Sequence, residues 1–190
     1  MPYFMNADRP LNIGHRDSNK PTPEHTLASY AEAYYSGVDY IDLDLHITKD
    51  GRFVTNNGPT LSETSDSDMY DFIFGDRKRK RIQVGHKVYS NKYLINDFTL
   101  EELQMLNRMP EDIDTLDPAV EQIKFTTLEE VVELILSFRE APRDTNAATP
   151  VGIYPKLTCS YFYWDRGYDL SQMLYDTLKS FNIHTIEGTK

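Results

Sequence analysis

Three short stretches carry most of the chemistry available to this chain. Asn12-Ile13-Gly14-His15-Arg16 sets a histidine and an arginine at the end of an apolar run. Pro23-Glu24-His25-Thr26-Leu27 follows, and Asp42-Leu43-Asp44 then places two carboxylates two residues apart. The planar guanidinium of Arg16 suits a phosphate clamp, and the imidazole of His15 suits a general acid or base. Two aspartates at that spacing on a strand share one face, which suits a hard cation held through oxygen ligands. Each feature also has a plainer reading. A His-Arg pair at a strand end is ordinary surface chemistry, and alternating carboxylates also mark a half-exposed edge strand.

To act together, these groups must reach one end of neighbouring strands. Leu11 to Gly14 reads as a short buried strand. Thr26 to Ser36 reads as a helix with Leu27, Tyr30, Ala31 and Tyr34 at helical spacing, stopped by Gly37. From Val38 to Ile47 the chain alternates: Tyr40, Asp42, Asp44 and His46 fall on one face, with Ile41, Leu43, Leu45 and Ile47 on the other. Asp50-Gly51 marks a turn into a third strand over residues 52–56. Residues 59–96 read as a long inserted loop with room for a local hairpin. Thr99-Leu100-Glu101-Glu102 and Thr127-Leu128-Glu129-Glu130 match the capping box that opens a helix. Val151 to Pro155 reads as a fourth buried strand, and Asp169 to Phe181 as a closing amphipathic helix. The order of elements is α/β, in one domain over residues 1–190.

Composition narrows the classes. With 39% hydrophobic and 26% charged residues, the 190-residue chain suits a soluble globular domain, and 12% aromatics argue against disorder. No apolar run approaches the ~20 residues of a membrane span, and the N-terminus shows neither the basic nor the apolar region of a signal peptide, so a cytoplasmic location is the default expectation. A net charge of −10 disfavours nonspecific binding to nucleic acid or anionic membranes. The lone Cys159 excludes an intrachain disulfide. The basic run Arg77 to Arg81 could meet an anionic partner, but is better read as a solvated loop balanced by Asp66, Asp68, Asp71 and Asp76. Tyr161-Phe162-Tyr163-Trp164 reads as packing for the loop after the fourth strand, or as rim aromatics able to touch a lipid-derived molecule.

Taken together, the motifs resemble the glycerophosphodiester phosphodiesterase family. His15-Arg16, Pro23-Glu24-His25-Thr26, Asp42-Leu43-Asp44 and Thr48-Lys49-Asp50-Gly51 match its signatures in order. Asp97-Phe98-Thr99-Leu100-Glu101-Glu102 and Ile153-Tyr154-Pro155 match its periplasmic-type branch. The resemblance runs from about Leu11 to Phe181. It implies a TIM-barrel-like (β/α)8 fold, of which this chain covers roughly the first half. It also implies hydrolysis of a glycerophosphodiester to an alcohol and glycerol 3-phosphate, assisted by a divalent metal (calcium or magnesium) and two histidines. Carried over position by position, it makes His15 catalytic, Arg16 phosphate-binding, and Asp42 and Asp44 metal ligands, at the C-terminal ends of barrel strands.

The pattern breaks at several positions. Asp17 replaces a glycine, and Asp42 replaces a glutamate. Asn57 and Gly58 stand where the second histidine and its following aspartate belong, and an amide cannot transfer protons near neutrality. Lys156 takes the place of a metal-ligand carboxylate, and Thr158 that of a phosphate-binding lysine. An ammonium beside Asp42 and Asp44 would compete with a divalent ion, so Lys156 is expected to stand in for the metal. Two readings follow: an impaired or inactive relative serving as a binding or structural module, or a metal-dependent phosphodiesterase completed by absent residues, by His46 or by a second subunit. A half-barrel also exposes an apolar face and a free strand edge. A missing C-terminal half or a homodimer is therefore expected to cover it.

Overall fold

The computed structural model describes residues 9–15, 22–109, 122–140 and 151–183. In chain order, strand β1 (Ile13–Gly14) is followed by helix α1 (Leu27–Tyr35), strand β2 (Tyr40–Ile47) and strand β3 (Phe53–Thr55). The one-turn helix α2 (Asp71–Phe74) precedes a hairpin of β4 (Ile82–Val84) and β5 (Lys87–Tyr89). Helices α3 (Leu100–Leu103) and α4 (Leu128–Glu140), strand β6 (Gly152–Leu157), and helices α5 (Ser160–Trp164) and α6 (Leu170–Ser180) complete it.

β2 organises the sheet. β6 runs parallel along one of its edges, from the Tyr40–Gly152 pair to the Leu45–Leu157 pair. β1 pairs parallel to its N-terminal end, with Gly14 level with Ile41. β3 runs the other way: the Asp50-Gly51 turn folds it back antiparallel against Leu45 to Ile47. Among the described residues the sheet does not close.

Both faces of β2 are buried, for opposite reasons. Ile41, Leu43, Leu45 and Ile47 join Tyr30 and Ala33 of α1 and Val131, Val132 and Ile135 of α4 in one core. Each buried Ile, Leu and Val among them contributes about 1.5–3 kcal/mol on burial. Asp42, Asp44 and His46 are buried on the other face. Helix α1 turns Tyr30 and Tyr34 toward the core as its spacing implied, but its inward side is rotated away from Leu27. Ser29, Tyr30 and Ala33 are buried, while Leu27 is exposed. The strands expected to be buried at residues 11–14 and 151–155 are exposed or half-buried along much of their length, with Ile13 and Tyr154 facing solvent.

The caps formed as read. Thr99 and Glu102 satisfy each other's backbone N–H groups, as do Thr127 and Glu130. The stretch read as an inserted loop contains the hairpin for which it had room and also supplies buried core residues. Leu61, Phe74, Tyr93 and Ile95 pack with Phe98, Leu103 and Phe125 in a second core. The basic run is largely neutralised there, through Arg77–Glu102, Lys78–Asp68, Lys78–Asp71 and Arg79–Asp97.

Candidate functional site

Strand alternation and register together build the site. Asp42 and Asp44 project from the polar face of β2, and the β2–β6 pairing sets Lys156 level with Asp44. The Lys156 ammonium then lies 2.8 Å from Asp42 Oδ2 and 2.8 Å from Asp44 Oδ1. Partial burial opposes the charge on Lys156, but hydrogen bonds to the two carboxylates outweigh it and hold its pKa above the ordinary lysine value. The expected pairing of Lys156 with both aspartates is therefore present in the geometry.

His25 closes one side of this cluster. Its backbone is held at φ +57°, in the left-handed region, just before the Thr26 cap of α1. Strain of that kind persists only where surroundings impose it. Here the ring is buried with Nδ1 2.8 Å from Tyr30 Oη, and Nε2 faces Asp44 Oδ2 at 3.7 Å. Burial lowers the pKa of His25 despite the nearby carboxylate, so the ring is neutral at pH 7. Among the described residues, His25 Nε2 and Asp42 Oδ1 are buried without a hydrogen-bond partner. His25 is thus a site residue, although its motif position read only as a helix start.

His46 continues the Asp42–Asp44 face, but its chemistry is spoken for. Nδ1 meets Tyr163 Oη at 2.9 Å and Nε2 meets Thr158 Oγ1 at 3.1 Å. Complete burial pushes its pKa down to about 3, so at neutral pH the ring is an uncharged imidazole whose two nitrogens are already engaged, not an imidazolium acid. Thr158 also donates to the Leu45 carbonyl at 3.2 Å, which turns the hydroxyl toward β2. Asn57 is exposed, whereas Asn56 beside it is buried. The Asn56 amide donates to the carbonyls of Gly58 and Thr60, and its oxygen accepts from Thr64 and from Arg108. Arg108 is itself buried, donates to the Glu24 carbonyl, and has its pKa lowered to about 10 by desolvation. No local motif marked it.

His15 is exposed, one residue past the Gly14–Ile41 pair and hence next to the level of Asp42. No hydrogen bond or ion pair joins it to Asp42, Asp44 or Lys156 among the described residues. Arg16 and Asp17 lie outside those residues.

A divalent ion between Asp42 and Asp44 does not fit this arrangement. The ammonium occupies hydrogen-bonding distance to both carboxylates, and a divalent cation there would be repelled at short range. Among the described residues, no group of three or more His, Cys, Asp or Glu side chains is placed to hold a metal.

The geometry can be set beside known proteins. A family model described as "Glycerophosphoryl diester phosphodiesterase family" matches residues 15–156. A glycerophosphodiester phosphodiesterase of Haemophilus influenzae is 29% identical over 189 residues, covering 93% of this chain and 47% of the relative. One from Arabidopsis thaliana is 29% identical over 183 residues, with 93% and 46% covered. Among solved structures, an Oleispira antarctica phosphodiesterase in complex with the product sn-glycerol-3-phosphate superposes with a TM-score of 0.58. It is 22% identical and covers 90% of this chain and 52% of that one. A putative glycerophosphoryl diester phosphodiesterase from Silicibacter pomeroyi gives the same TM-score at 18% identity, with 93% and 55% covered. These likenesses establish a TIM-barrel-like fold of which the chain supplies part. It spans about half the length of the relatives it matches.

Proposed function

Because the chain belongs to the glycerophosphoryl diester phosphodiesterase family, we propose that it is a phosphodiesterase-type module whose hydrolytic activity is impaired and whose polar face serves binding. The single observation that supports this reading is the Lys156 ammonium bridging Asp42 and Asp44. A tethered ammonium pairs with both carboxylates and offsets one of their two charges, but has no exchangeable positions for a water or a phosphoryl oxygen. Asn57 removes a second proton-transfer group, and such groups contribute about 10²–10⁴-fold each. A glycerophosphodiester-like small molecule remains the expected ligand class, with His15 and Arg16 as the residues to meet it.

A second reading, a metal-dependent hydrolase completed by groups beyond the described residues, is supported by one observation. Asp42 Oδ1 and His25 Nε2 are buried with open hydrogen-bonding capacity. Turnover of glycerophosphocholine and of bis(p-nitrophenyl) phosphate, with and without added calcium or magnesium, separates the two readings. We expect turnover several orders of magnitude below that of an intact relative, with no stimulation by metal. Metal-stimulated turnover that His15→Ala abolishes would establish the hydrolase instead.

A further inference from the structure

The chain is acidic overall, yet one segment of it is not. Between Arg77 and Asn96 there are seven basic side chains and no carboxylate. Four of them are neutralised by ion pairs: Arg77, Lys78 and Arg79 as above, and Lys92 by Glu63. The other three, Lys80, Arg81 and Lys87, are exposed on the β4–β5 hairpin and its approach, and make no ion pair among the described residues. Val88, next to Lys87, is also exposed.

The hairpin lies against α5. Val84 and Tyr89 share a core with Phe162 and Tyr163. Lys87 approaches Cys159, the residue before α5, closely enough to oppose the upward push that burial gives the thiol. The aromatic run of α5 divides by helical position. Phe162 and Tyr163 are buried, while Tyr161 and Trp164 are 88% and 64% exposed. Their i, i+3 spacing puts both on one side of the helix. Tyr and Trp join an apolar body to a polar tip, the combination favoured where hydrocarbon meets water. α5 follows directly from the C-terminal end of β6, the end toward which Lys156 and Thr158 lie.

We propose that Tyr161 and Trp164 of α5, with Lys80, Arg81, Lys87 and Val88 of the β4–β5 hairpin, form a docking surface for an anionic phospholipid bilayer. The cations meet the headgroup charge, and the aromatics and the valine enter the interface. The net charge of −10 does not oppose this, because charges are screened over about 8 Å at physiological salt and a bilayer senses the nearest patch. A polyanionic protein or nucleic acid would also be drawn to the cations, and bases can stack on aromatics, but neither offers the exposed aliphatic Val88 an apolar phase to enter. The inference does not depend on whether the site turns over substrate.

Trp164 is the only tryptophan in the chain and therefore reports directly. The purified chain would be mixed with phosphatidylcholine vesicles, with or without about 30 mol% phosphatidylserine, and followed by emission spectra and flotation. The expected result is a blue shift and flotation with the anionic vesicles only, both reversed by high salt. Lys80→Glu/Arg81→Glu/Lys87→Glu should lower partitioning about a hundredfold or more. Tyr161→Ser/Val88→Ser should weaken it while preserving the Trp164 signal. Absence of both blue shift and flotation with anionic vesicles overturns the proposal. So does heparin binding that competes fully with vesicles while Tyr161→Ser/Val88→Ser binds vesicles as the parent does, an outcome that assigns the surface to a polyanion.

Discussion

Replacing Lys156 by glutamate puts the counter-charge itself on trial. The ammonium lies 2.8 Å from one oxygen of each aspartate. At an effective dielectric of about 20, each contact represents about 6 kcal/mol of Coulomb attraction, much of it offset by desolvation. Removing one partner of a buried pair costs about 3–5 kcal/mol. Lys156 is 33% exposed, so solvent screens part of that loss and we take the low end, about 3 kcal/mol, for Lys156→Met. In a domain of this size that lowers Tm by about 6–12 °C. Lys156→Glu should melt lower still, because a third carboxylate joins two that are already buried. Calcium should then rescue it selectively. At about one hundred times its dissociation constant, a bound ion returns about 2.7 kcal/mol. Calorimetric melts at pH 7 over a calcium series check each step. The reasoning is refuted if the parent Tm climbs with calcium as far as that of the glutamate variant, or if Lys156→Met melts with the parent.

Two further substitutions probe the elements around the site. In His46→Gln, one stretch of acid sensitivity should disappear. The folded pKa is about 3 against about 6.5 unfolded, so below pH 6.5 the unfolded chain binds a proton that the folded chain refuses. Stability then falls with acid by up to about 1.4 kcal/mol per pH unit down to pH 3. Urea melts at stepped pH would show that slope in the parent alone, and equal slopes in both proteins would count against the assignment. Gly152→Ala should cost about 1–3 kcal/mol through overpacking. Its Cβ would stand 2.6 Å from Tyr40 Cε1 and 2.8 Å from Cδ1, across the β2–β6 pair. A lowered urea midpoint at constant m, relieved by adding Tyr40→Ser, is the expected pattern.

How much of this was legible in the sequence follows from the range of each interaction. The polar and apolar faces of β2 could be read because alternation is a two-residue signal. The boxes at Thr99 and Thr127 could be read because three residues suffice to define them. The ion pair of Lys156 with Asp42 and Asp44 joins residues 112 or more positions apart, and only the family pattern pointed to it. The partnership of His46 with Tyr163 spans 117 positions and had no such pointer. The second core escaped notice because Leu61, Phe74, Tyr93 and Phe98 come from short segments with no common period. Burial of Arg108 against Asn56 ran against every composition-based expectation for arginine. The inward side of α1 is only partly legible: Tyr30 and Tyr34 face the core as their spacing implies, but Ala33, weak in a hydropathy pattern, is buried there while Leu27 is exposed.

Asp42 and Asp44 impose a condition on the fold before any question of catalysis arises. Two carboxylates buried on one strand face cannot both stay ionised without a nearby positive charge. A bound divalent ion would meet the condition reversibly, and stability would then depend on its concentration. An ammonium tethered to β6 meets it within the chain, and does so in register with the strand pairing that forms the sheet. Stability and catalysis consequently make opposed demands on residue 156. The charge that secures the pair independently of any solute is the one that denies its oxygens to an exchangeable ligand. On the proposed reading, that opposition lets the sheet, the caps and the acidic strand keep the family's form while residue 156 serves the fold in place of a metal.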